Sequence, residues 1–153
     1  MNDFDRMHLK QQFLRSELVP TWASFRQCID DLITSYNALD PGEPHCASVK
    51  ENGDMALMIE CKMGPGTGGD SFSSLIILIK AKLDRGKLAI QSVTEHWQTI
   101  ASTRFLRESS SIQEFPLDGD PSSKSVWLYL TTDERRLDVQ QVASLILRRA
   151  LEV

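Results

Sequence analysis

Hydrophobic and polar positions alternate most clearly between Ser74 and Trp97. Leu75, Ile77, Ile79, Ala81 and Leu83 share one side of this run, while Ile76, Leu78, Lys80 and Lys82 share the other. A period of two marks a β-strand. One face is wholly apolar, and the second passes from apolar to basic, as in a strand covered at one end and wet at the other. Asp84 to Lys87 predicts a tight turn, and Leu88 to Trp97 the returning strand. With Arg85-Gly86 as the turn, Leu83 pairs with Leu88, Ala81 with Ile90 and Asp84 with Lys87. A slip of one residue would set Ile79 against Gln91, so the first register is expected.

Toward the N-terminus the period lengthens. Phe4, Met7, Leu14 and Leu18 recur at helical spacing, with Leu9 and Phe13 on the other side of the wheel, so a helix over 4–18 is apolar on two sides. Pro20 removes a backbone donor and disfavours a helical Val19, which predicts a break or kink before a second helix from Pro20 to Leu39. There Trp22, Phe25, Ile29, Leu32, Ile33 and Tyr36 occupy one arc, and the prolines and glycine of Asp40 to Pro44 end the helix. A strand near Cys46 to Lys50, a turn at Asn52-Gly53 and a strand from Met55 to Lys62 follow, since Asn-Gly is a strong hairpin signal. Met63 to Ser71, rich in glycine, predicts a connecting loop.

After Trp97 the pattern weakens. Thr99 to Leu106 reads as an extension or a new strand, Ser109 to Ser111 and Asp118 to Ser123 as loops, Ile112 to Phe115 as a short strand, and Ser125 to Thr131 as a firmer one. Asp138 and Gln141 carry a capping-box signature flanked by Leu137 and Val142. The last helix is therefore expected to start at Asp138, with Asp133 as the alternative start, and to pack on the sheet.

These elements define one α+β domain over 1–153: a mainly antiparallel sheet of four to six strands, with N-terminal helices and a C-terminal helix packed on it. No helical run separates successive strands, which excludes parallel crossovers. The 153 residues, 41% hydrophobic and 25% charged, provide for one core of ordinary globular balance. The order of elements is similar to that of helix-on-curved-sheet binding folds and of small acidic secretion chaperones, with no residue motif behind the likeness.

Charge and motifs exclude more than they assign. A net charge of -4 argues against a nucleic-acid surface, and Arg135-Arg136 and Arg148-Arg149 read as ordinary helix-end or solvated pairs. The apolar run Leu75 to Ile79 is far too short to span a bilayer, so no membrane partner is expected. Three cysteines without CxxC spacing, and no secretory leader, predict reduced thiols and a cytoplasmic location. The glycines of 64–69 lack the Gly-Lys-Ser/Thr and helix of a phosphate cradle. His45, Cys46, Cys61 and His96 lack metal spacing, and Glu60 with Glu95, or Asp30 with Asp31, read as solvated acids. No metal, cofactor or catalytic residue is therefore assigned.

The aromatic residues are first of all core. As ligand-contacting candidates the sequence offers Trp22, Tyr36, His96, Trp97 and Trp127. Surplus apolar surface on the first helix and on both faces of the 74–83 strand predicts a non-enzymatic, chaperone-like interaction or adaptor module that pairs with a protein partner or with itself. The alternative is a small-molecule-binding protein or enzyme, with an apolar ligand in a pocket between the 20–39 helix and the sheet.

Overall fold

A computed structural model describes residues 2–39, 47–65, 71–84, 87–130, 132 and 135–151. Strand β3 (Ser71–Asp84) runs antiparallel to β4 (Lys87–Ile100) in the expected register: Leu83 opposite Leu88, Ala81 opposite Ile90, Asp84 opposite Lys87. The Arg85-Gly86 turn itself lies outside the described residues. On the far side of β3 stands β2 (Ala56–Pro65), which pairs in turn with β1 (Ala47–Glu51). The second half of β4 pairs with β5 (Thr103–Ser109), and its first half with β6 (Gln113–Asp120). β7 (Ser125–Leu130) and β8 (Arg135–Leu137) complete an eight-stranded sheet in which every described pairing is antiparallel.

Two helices cover one face of this sheet. Helix α1 (Asp3–Leu39) sends Thr21, Trp22, Phe25, Ile29 and Ile33 inward, a stripe with one buried position per turn. They meet Leu57, Ile59, Leu75, Ile77, Ile90 and Phe115, the inner side of the pleat. Helix α2 (Val139–Leu151) adds Val142, Ala143, Ile146 and Leu147 to the same core. Its start is the capping box: Gln141 N–H donates to Asp138 Oδ1 at 2.8 Å, and Asp138 N–H to Gln141 Oε1 at 2.9 Å.

Several details differ from the sequence pattern. α1 runs unbroken through Pro20, because Leu18, Trp22 and Phe25 anchor it to the core on both sides of the proline. Pro20 and Ser16 are both exposed, so the Ser16 carbonyl that loses its donor faces water. The sheet has eight strands, not four to six. β2 continues past Lys62 to Pro65 through a register irregularity; among the described residues no β1 position pairs with β2 beyond Cys61, as suits a proline that has no N–H to donate. Met55 is in the turn, at φ 47°, rather than in the strand. Asp118 to Asp120 are strand rather than loop: a Cβ on Gly119 would lie 2.7 Å from the Ser125 carbonyl and 3.0 Å from the Phe13 ring, so only glycine lets β7 and α1 approach this closely.

The edge strand β1 is latched to α1 at both ends. Asn37 donates through Nδ2 to the Ala47 carbonyl at 2.9 Å and accepts the Ala47 N–H at 2.8 Å, mimicking a strand neighbour. Arg26 pairs with Glu51 at the other end. At about 55 Å, the 37 residues of α1 outrun the sheet, and Phe4 and Met7 stand 84% and 63% exposed.

Candidate functional site

The outer face of the sheet is the side opposite the helices, and its composition follows from the pleat. Ser74, Ile76, Leu78, Lys80 and Lys82 point outward from β3; Lys62, Glu60, Met58 and Ala56 flank them on β2, and Trp97, Glu95, Val93, Gln91 and Ala89 on β4. None of these belongs to the helix-covered core, and among the described residues no element forms a layer over them. Ser74, Ile76, Ala89 and Gln91 are nonetheless buried. Met58, Leu78 and Val93 are half-buried. Toward the β5 end, Phe72 and Leu106 extend the apolar surface, each about half exposed.

A shallow hollow of about 280 Å³ lies at the centre of this face, lined by Ala56, Leu78, Lys80, Gln91, Val93 and Ile112. Further along β4, Trp97 is held with Arg104 stacked 4.5 Å from the ring centroid and the indole N–H donating to Glu95 at 3.2 Å. Glu60 and Glu95 share a row but are separated by Ile76, so they stand two strand spacings apart, about 10 Å.

The sequence candidates are dispersed. Trp22 is core, tilted against Phe25 with ring centroids 5.5 Å apart. The void beside it, between Leu18, Ala89, Leu117 and Leu128, is too narrow to admit water. Tyr36 lines an open apolar groove of about 250 Å³ between α1 and α2, with Leu32, Leu39, Leu147 and Leu151; burial raises its phenol pKa. Trp127 lines a different groove of about 250 Å³ with Pro20, Thr21, Ser24 and Val139. Its ring is covered by Arg136 at 3.9 Å and meets Tyr129 edge-on. His96 is exposed near the β5 end of the sheet, and Trp97 alone of the five stands on the β2–β3–β4 stretch of the outer face. These five residues do not converge on one of the described cavities.

Thiol and metal chemistry find little footing. Cys61 is fully buried, and burial, with Glu60 next to it, pushes its thiol up to about 11. Leu75 separates it from His96 in their row. Burial likewise raises Cys28, with Asp31 and Asp138 adding to the effect. Cys46, His45 and the glycines at 66–69 lie outside the described residues. Among the described residues no three His, Cys, Asp or Glu side chains gather as a metal site. Nor is any described helix long and apolar enough to cross a membrane.

Sequence reasoning missed Met58, Val93 and Ile112 as members of one surface. The second face of the 75–83 strand was legible from alternation, but which strands flank it depends on strand order, which alternation does not encode. No protein family, curated protein or solved structure matches the chain.

Proposed function

We propose that the protein is a non-enzymatic interaction module that engages a protein partner through the outer face of its sheet. The observation that carries this reading is the row Met58, Leu78 and Val93 at the centre of the molecule: half-buried apolar side chains with charged neighbours and, among the described residues, no covering layer. An apolar patch ringed by polar groups is the usual form of a docking surface. A small apolar ligand has weaker support, because the two grooves beside α1 hold about 250 Å³ each and are open, at or below the usual lower bound of ligand pockets, about 300 Å³.

Lysine crosslinking in cells that produce the protein tests the reading, since Lys50, Lys62, Lys80 and Lys82 all stand on or around this face. Crosslinks to another polypeptide chain are expected from these lysines and not from Lys10 or Lys124. Intermolecular crosslinks confined to Lys10 and Lys124 would overturn it.

A further inference from the structure

We infer that the occupant of the outer face is a second copy of the same chain, stacked sheet on sheet about a two-fold axis that crosses β3 at Leu78. The inference rests on the reading that this face is the docking surface and adds the identity and register of the partner. Two sheets stacked with their strands roughly aligned admit two kinds of two-fold axis in the plane between them, one along the strands and one across them. The charges on the face discriminate between the two.

An axis along β3 exchanges β2 and β4, laying Glu60 of one copy over Glu95 of the other and Lys80 over Lys80. Like charges then meet in both rows that flank Leu78. An axis across the strands at the Leu78 row keeps each strand over its own counterpart and reverses its direction. Leu78 meets Leu78 and Val93 meets Val93, while Lys80 falls on Ile76 of the other copy, between that copy's Glu60 and Glu95. The gap between stacked sheets, about 10 Å, suits the reach of one lysine toward two carboxylates.

The same operation places Gln91 opposite Glu95, an amide donor on an acceptor, and sets the large Trp97 over the small Ala89. From the Ser74 row to the Lys82 row, across four strands, the face measures roughly 500 Å². This is about two-thirds of the ~800 Å² per partner of a standard stable interface.

The test is sedimentation of the full chain across a micromolar concentration series, alongside Lys80→Glu and the charge swap Lys80→Glu/Glu60→Lys/Glu95→Lys. Thermal melts of dilute samples verify that each variant folds; all the altered side chains are on the surface of the sheet. The expected result is a dimer for the natural chain, self-association weakened roughly a hundredfold or more by Lys80→Glu, and a dimer again for the charge swap. A monomeric natural chain overturns the inference, as does a dimer indifferent to Lys80→Glu or a charge swap that stays monomeric. Crosslinks from the outer-face lysines to a different protein, with a monomeric chain in solution, would remove the self-pairing and leave the docking-surface reading intact.

Discussion

Asp118 illustrates how single side chains fix α1 on the sheet. Burial alone would raise its carboxyl pKa, but the Lys10 ammonium at 2.7 Å, the Gly119 N–H and the Tyr129 hydroxyl outweigh that cost and hold the pKa below the ordinary carboxylate range. A carboxylate depressed in the folded state stabilises the fold above its unfolded pKa, ~3.9, and that contribution is lost as pH falls through the folded value. Lys10 is 45% exposed, so screening limits the pair to about 0.5–1 kcal/mol. Lys10→Met is therefore expected to lower stability by about that amount at neutral pH and to match the natural chain in strong acid. Urea melts at the two conditions check this; an equal gap in both would show that packing, not charge, is what Lys10 supplies. Of the five aromatic and histidine candidates, only Trp97 was placed on the surface now proposed to act. Residue type announces bulk but not which side of the sheet receives it.

At the scale of elements, the latch between α1 and β1 is the most exposed to test. β1 is an edge strand of five residues, paired on one side with β2 and held on the other by Asn37. Asn37→Ala removes two hydrogen bonds to the Ala47 backbone, costing about 1–3 kcal/mol, and hydrogen exchange should accelerate in β1 before the β3–β4 ribbon. Unchanged protection in β1 would mean that Arg26 and Glu51 hold the strand unaided. The ribbon's register was legible because a slip would have put Ile79 against Gln91, and α2 because Asp138 and Gln141 announce its cap. Nothing in the sequence near Asn37 signals its role, since its partner Ala47 lies ten residues further along the chain. The helix at Pro20 was misread for a related reason: local propensity argues for a break, whereas the buried stripe of Trp22, Phe25 and Ile29 extends the helix through tertiary contact. β5 and β8 were obscured because exposed or very short strands carry little alternation.

For the whole molecule, the decisive asymmetry is between the two faces of β3. Ile77 is fully buried beneath the helices, while its neighbour Leu78 points to the uncovered side. Ile77→Ala should cost about 2–5 kcal/mol at any protein concentration, because its cavity lies within one chain. Leu78→Ala should behave differently, since part of the apolar contact it loses lies between two copies. In a self-associating protein the partner acts as a ligand of the native state, so the melting temperature rises with concentration. The natural chain is expected to show that rise, Lys80→Glu to abolish it, and Leu78→Ala to cost less than Ile77→Ala when dilute and progressively more as concentration increases. Calorimetry over a concentration series reads all three. A Leu78→Ala loss as large as that of Ile77→Ala and independent of concentration would place Leu78 inside the fold of a single chain, and the outer face would then have no surplus surface to offer a second copy.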